Sequence, residues 1–341
     1  MFKRLLIKMV VLASIGAVSL GYLYSNLSAW GEATQPVNKA SNIHFPKGTR
    51  LDELAGSLEA SGVIDDALKF KLWVKLKGHY HKYQAGLYRF SGKVSPSLVD
   101  YKMTKGKTFT PIALQFVIPE GFTLKQTINR LVANRVGSYD ELWKLAHNKK
   151  FLAKLKVKAP NLEGYIYPAT YKFLKRLNGK EVFSEMVETF WEKLPPNYLE
   201  RIKAKRLSLH KAITFASLIE METSHEDEKN MIAEVIWSRL KNREPLGIDA
   251  ALIYGIENYK GDIKWKHLKD RKNKYNTRIH KGLPPGPIGA VTSSTLESLL
   301  NPTSKGYYYY VLIAGTTRHH FSKTFKEHNK HVKLLLKQQR R

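Results

Sequence analysis

The sequence predicts an α+β protein with an N-terminal membrane anchor, a small strand-turn-helix region and a larger mixed α+β domain. Three observations lead there. Helical patterns outnumber strand patterns and are segregated from them along the chain, which marks α+β rather than α/β. A strand-turn-helix segment occurs twice, and the chain opens on a charge-free apolar run, Met9 to Trp30. With 341 residues there is room for about two domains, and 43% hydrophobic residues suffice for packed cores.

The apolar run is long enough to cross a bilayer, for which ~20 residues suffice. Lys3, Arg4 and Lys8 precede it and Tyr22, Tyr24 and Trp30 close it. Cationic residues on the short leading side predict a cytoplasmic tail (1–8), an anchor (9–30), a polar linker (31–42) and an exported remainder. The competing reading is a cleaved signal peptide, with Leu27 to Ala29 as a poor cleavage site. Lys and Arg number 57 against 29 Asp and Glu, a net charge of +28. So large a surplus implies an anionic partner, and behind an export segment that partner is membrane or cell wall rather than nucleic acid. No cysteine is present, which excludes disulfides and thiolate metal sites.

Next comes the repeat. FPKGTRLDELAGSL (Phe45 to Leu58) and IPEGFTLKQTINRL (Ile118 to Leu131) share Pro-x-Gly, a Leu three residues on and another seven later, at an offset of 73 residues. Each copy reads as strand, turn and amphipathic helix. The cassette resembles half of a LysM module, a small fold that binds N-acetylglucosamine polymers, and it places a LysM-like region at 43–138. The plainer reading is scaffold. Between the copies, YQAGLYRF alternates like a strand and SPSLVDYKMTKG looks like a capped helix. Over 139–341 the texture is first helical, broken by the aromatic NLEGYIYPATYKF (Asn161 to Phe173) with its single acid, Glu163. Beyond Leu240, IDAALIYG, KYNTRIHKGLPPGPI and GYYYYVLI alternate turns with expected strands, and a Lys-rich helix (Phe325 to Lys337) closes the chain.

Within this second part, Ile213, Phe215, Ala216, Leu218 and Ile219 cover nearly the whole circumference of a helix, which must therefore be buried. Thr223 to Glu226 reads as a capping box opening the next helix, so the first ends near Glu222. Glu220 then lies in a final turn, beside orphan carbonyls and the negative end of the macrodipole. Burial and dipole both disfavour its charge and keep the acid protonated, as a general acid requires. The alternative is a buried Lys or Arg partner for Glu220. Glu222 lies about 200° around the helix from it, off that face. Glu226, Asp227 and Glu228 most simply favour a helix N-terminus. His319-His320 has no metal-ligand spacing, and neither a metal nor a cofactor is expected.

Taken together, ASLIEMET (Ala216 to Thr223), EGYIYPATY (Glu163 to Tyr171), IDAALIYG (Ile248 to Gly255), YNTRIHKGLPPGPI (Tyr275 to Ile288) and HHFSKTFKEHN (His319 to Asn329) occur in the order found in the endolytic murein transglycosylases, the YceG-like family. The chain resembles that family over nearly its whole length. The resemblance implies a single-pass membrane protein whose extracytoplasmic part cleaves the β-1,4 bond between N-acetylmuramic acid and N-acetylglucosamine. It makes Glu220 the catalytic acid and implies a 1,6-anhydro product. Glycan strands of the wall are then the substrate, and peptidoglycan synthases the expected protein partners. Glu163, Glu222, Asp249, Tyr254, Tyr275 and Asn276 are candidates for holding sugar hydroxyls and N-acetyl groups. The chain departs from the family pattern at Ala169, where Asp is usual, at Met221, where Lys is usual, and at Gly247, Ile248, Ala250 and Ala251 around Asp249. Two other readings stay open: a two-carboxylate hydrolase using Glu220 with Asp249, and a catalytically silent wall-binding scaffold.

Overall fold

A computed structural model describes residues 2–339. The chain forms two compact units, one ending at Pro111 and one beginning at Ile112.

The first unit opens with α1 (Phe2–Glu32), followed by β1 (Gln35–Phe45), α2 (Leu51–Ala60), α3 (Ala67–Lys77), a 3-10 turn, β2 (Gly86–Val94) and α4 (Pro96–Thr104). β1 and β2 pair antiparallel with an irregularity between Val37 and Ser41. Val37, Ile43 and Phe45 from β1 meet Tyr88, Phe90 and Val94 from β2 in a core closed by Leu54 and Leu58 of α2 and Phe70 and Val74 of α3. Residues 31–42 are therefore no linker. α1 runs on to Glu32 and β1 begins at Gln35, because Val37 supplies an apolar side chain to this core.

The second unit runs β3 (Leu114–Ile118), α5 (Leu124–Ala133), α6 (Tyr139–Ala146), α7 (Lys149–Lys154), β4 (Ala169–Phe173), α8 (Gly179–Glu192), α9 (Tyr198–Ala204), α10 (Leu209–Glu222) and α11 (Glu226–Lys241). It continues through α12 (Asp249–Tyr254), α13 (Trp265–Leu268), α14 (Ser293–Ser298), β5 (Tyr309–Leu312), β6 (His319–Ser322) and α15 (Phe325–Gln339). β3 pairs antiparallel with β4 and β5 with β6. Leu114, Phe116 and Ile118 alternate inward along β3, the period of two that a half-buried strand requires. The mixed α+β class is as expected, with small two-stranded sheets among many helices.

Both repeat copies fold as strand, turn and helix, with Gly48 and Gly121 at positive φ. They belong to different units, however. β3 pairs with β4 and α5 packs into the second core, so the boundary lies at 111 and not at 138, and 43–138 is not one body. IDAALIYG is the helix α12 rather than a strand, since Ala250, Ala251 and Leu252 are good helix formers and Ala251 and Leu252 point into the core. The expected capping box at Thr223 is absent. Thr223 ends α10 in extended geometry, and His225 precedes α11 without a side-chain cap.

α10 is the axis of this unit. Ser208 caps it by accepting the Lys211 amide, and Ala212 through Glu220 are all buried. Each large apolar side chain so buried contributes about 1.5–3 kcal/mol. Its polar members are satisfied: the Thr214 hydroxyl donates to His210 O, and Ser217 Oγ accepts the Ile288 amide at 3.1 Å. Gly164 lets the loop carrying Glu163 pass against α10. Its φ is +78°, and a Cβ there would lie 2.6 Å from Pro287 Cβ and 2.7 Å from Ile213 Cγ2.

Gly164→Ala is expected to lower stability through both effects, about 1–2 kcal/mol for the left-handed backbone and about 1–3 kcal/mol for overpacking. Gly282→Ala, at φ +86° with open space around it, carries only the first. Thermal unfolding of the two variants checks this, and equal losses would contradict the packing role given to Gly164.

Candidate active site

Glu220 stands on the last turn of α10 with its side chain 1% exposed. It is not alone there. Lys229 of α11, also 1% exposed, places Nζ 3.3 Å from Glu220 Oε1. Thr292 donates to Oε2 twice, from its amide at 2.8 Å and its hydroxyl at 2.9 Å. Thr292 is at the same time the N-cap of α14, accepting the Thr295 amide. Of the two expectations for Glu220, the structure shows the buried basic partner: the carboxyl is held by a buried ammonium and two further donors. Lys229 also donates to Glu226 at 2.6 Å and to Ser294 at 3.2 Å. Burial works against its charge, but Glu226 and Glu220 outweigh burial and hold it above the ordinary lysine value.

A second acid lies near Glu220. Glu120 sits, exposed, in the Pro-x-Gly turn between β3 and α5. Burial first, then the nearby Glu220, push it above the ordinary carboxylate value, and Lys229 only partly offsets this. The backbone fixes that turn. Gly121 N donates to Ala290 O and Ala290 N to Phe122 O, both at 2.9 Å. The approach is so close that a Cβ on Gly289 would stand 2.4 Å from Gly121 O. Met221, an exposed departure from the family pattern, packs its sulfur against Gly121, where a Cβ would meet it at 2.8 Å.

Glu163, Tyr254 and Tyr275 gather in a second cluster. Both oxygens of Glu163 accept the Leu124 amide at the start of α5, each at 2.9 Å, and the Tyr254 hydroxyl donates at 2.8 Å. The Tyr254 and Tyr275 rings lie 4.8 Å apart. Burial raises Glu163 to about 7, against the pull of those donors. Glu222 and Asp249 meet in a third. Burial raises Glu222; the Tyr310 hydroxyl and His319 offset this, and Asp249 adds to it. Asp249 itself is held by Arg278 at 2.7 Å, so it is not the carboxylate that lies near Glu220. Asn276 is fully buried and its amide is spent on the carbonyls of His267, Leu268 and Asp270, at 3.1–3.2 Å. It staples a loop and has no hydrogen left for a sugar.

Sequence reasoning missed Lys229, Thr292 and Glu120. A signal for Lys229 was present: 229, 232, 233 and 236 form one helical stripe, and a lysine on an apolar stripe needs a buried counter-charge. Glu120 was visible only as a turn residue. Of the family departures, Ile248 and Ala251 prove to be core residues. Among the described residues, no group of three or more His, Asp or Glu is arranged to hold a metal ion.

Comparison with known proteins follows the same lines. The YceG-like family matches residues 43–334. The endolytic murein transglycosylase of Bacillus subtilis (strain 168) is 31% identical over 318 residues, covering 87% of this chain and 86% of that protein. The endolytic murein transglycosylase of Streptococcus pneumoniae serotype 2 (strain D39) is 26% identical over 322 residues, which cover 86% of this chain and 58% of that protein. A 2.6 Å crystal structure of a yceG-like protein from Listeria monocytogenes superposes with a TM-score of 0.58 at 31% identity, covering 86% of this chain and 99% of that one.

Glu163 supplies a pH test. Its folded value near 7 exceeds the ordinary 4.5, so its protonated form is preferred by the fold. The stability it contributes is complete below pH 4.5 and is lost as pH rises through 7. That loss is on the order of 3 kcal/mol. Glu163→Gln keeps an acceptor for Leu124 and does not titrate, so its unfolding temperature is expected to vary less between pH 5 and 8 than that of the unmodified protein. Parallel curves would show that Glu163 does not titrate in this range.

Proposed function

This chain belongs to the YceG-like family, and on that premise we propose that it is an endolytic murein transglycosylase, a lyase that breaks peptidoglycan glycan strands between N-acetylmuramic acid and N-acetylglucosamine. The observation that carries the reading is the placement of Glu220: a buried carboxyl oriented by Thr292 and Lys229, with a second acid, Glu120, near it.

The chemistry needs one acid that changes role. In the reacting form Glu220 carries a proton, which it gives to the glycosidic oxygen as the C1–O4 bond breaks. The carboxylate then takes the proton of the muramyl C6 hydroxyl as O6 closes on C1, giving a 1,6-anhydro end and restoring the acid. Proton and bond counts balance without water. A retaining or inverting hydrolase needs two carboxylates flanking the bond. Glu120 fits a different task. Glu226 is kept ionised, since hydrogen bonds from Lys229 and Ser294 outweigh its burial, whereas Glu120 is raised. Glu120 is proposed as the neighbouring charged group that acts on Glu220. Tyr254, Tyr275, Glu222 and Asp249 are proposed as sugar contacts, with Glu163 fixing the hydroxyl of Tyr254.

α1 supports a membrane anchor. Met9–Glu32 has mean hydropathy 1.5 in its apolar window and only 6% of that window is buried by the rest of the chain. Lys3, Arg4 and Lys8 on the short side favour an extracytoplasmic catalytic unit. The strand-helix-helix-strand order of the first unit supports a LysM-like glycan-binding role for it.

Mass spectrometry of purified wall glycan digested by the protein tests the activity. Anhydro ends, one water lighter than hydrolysed ends and reduced about 10²–10⁴-fold with Glu220→Gln, are expected. Reducing ends would mean hydrolysis, and binding without cleavage would mean a scaffold. Glu120→Gln is expected to lower the rate at pH 7.5 about 10-fold and to move the alkaline limb of the pH–rate profile to lower pH. Removing a neighbouring negative charge makes the acid easier to ionise. An unmoved limb would remove Glu120 from the chemistry.

A further inference from the structure

α3 carries two apolar stripes where a surface helix needs one. Phe70, Trp73 and Val74 face the core of the first unit. Leu68, Leu72 and Leu76 repeat every four residues on the outside and are 62%, 46% and 60% exposed. The helix holds four lysines and no acid. Lys69 and Lys71 pair with Asp66 and Asp52, while Lys75 has no ion pair among the described residues. An exposed leucine row flanked by lysines is the pattern of a helix that lies in a membrane interface, with apolar side chains inserted and ammonium groups at headgroup level.

The position of α3 beside α1 says which surface covers it. Leu20, Leu23 and Leu27 of α1 and Leu72 and Leu76 of α3 line one groove of about 810 Å³. The end of α1 is fixed to this unit and is no loose tether. Trp30 Nε1 donates to Asp65 at 2.9 Å, Ser97 Oγ donates to Glu32 at 2.8 Å, and Gly31 sits flush on the Trp73 indole, where a Cβ would be 2.0 Å from Nε1. About 20 residues of helix cross the hydrocarbon. Counted from Met9, the first residue of the charge-free run, they end near Ser28. Leu20, Leu23 and Leu27 therefore fall within the apolar span, and Leu72 and Leu76 of α3, lining the same groove, are brought to the same depth.

We infer that the Leu68–Leu72–Leu76 face of α3 is immersed in the outer leaflet beside α1, with Lys69 and Lys75 contacting anionic headgroups. This rests on the reading of α1 as a membrane span. It makes the first unit a membrane-seated collar rather than a freely swinging module.

The absence of cysteine makes single labels clean. The full chain is reconstituted in vesicles of phosphatidylcholine and phosphatidylglycerol containing a lipid-borne doxyl quencher, with an environment-sensitive fluorophore at Leu72→Cys, Leu76→Cys, Leu12→Cys in α1, or the exposed Leu199→Cys in α9. Quenching at 72 and 76 several-fold stronger than at 199, together with quenching at 12, is expected. Quenching at 12 with 72 and 76 no different from 199 would overturn the inference and leave the anchor standing. No quenching at 12 would overturn both. A blue-shifted but unquenched label at 72 or 76 would assign the face to protein, such as a second copy, and also overturn it. Equal quenching in phosphatidylcholine alone would overturn the role of the lysines.

Discussion

The buried pair of Glu220 and Lys229 is the constraint on which the second unit depends. Placing either ion alone at such depth costs several kcal/mol, and their attraction offsets that only when geometry and extra hydrogen bonds are good. Here the extra bonds come from Thr292 and Ser294 at the start of α14 and from Glu226 in the first turn of α11. Three helix ends must meet at one point: the C-terminus of α10 and the N-termini of α11 and α14. The apolar surface of α10 brings its neighbours together. The ion pair specifies the register in which they stop.

That convergence explains the use made of the second repeat copy. In both copies the Pro-x-Gly turn passes from strand to helix. In the first, the middle residue is Lys47 and exposed. In the second it is Glu120, and two backbone hydrogen bonds clamp the turn to Ala290, two residues before Thr292. The same local chemistry thus serves as plain scaffold once and as one wall of the site once. The difference lies in a single side chain and in the close approach that Gly121 and Gly289 allow.

What the sequence disclosed follows from the range of the forces involved. The all-round apolar pattern of α10 and the acid at its end are local properties, and so are the anchor, the turn glycines and the α+β class. Of the partners of Glu220, Lys229 lies 9 residues away and within reach of a sequence window, whereas Thr292 lies 72 residues away and outside any. Asn276 was a candidate sugar ligand through the family motif that contains it, yet the carbonyls that consume it come from the end of the short helix α13 and the turn after it. α12 was misread because ALIY fits both periods when the segment is short. Thr223 was misread because its hydroxyl donates to Glu228 instead of capping α11.

The most direct test of the buried pair is a double-mutant cycle in unfolding free energy with Lys229→Met, Glu220→Gln and the two combined. Lys229→Met alone leaves a buried carboxylate without its counter-ion and should lose about 3–5 kcal/mol. Adding Glu220→Gln should recover most of that loss, so that the two changes are strongly non-additive. Additive losses would contradict the coupling and return Lys229 to the status of an ordinary packed side chain.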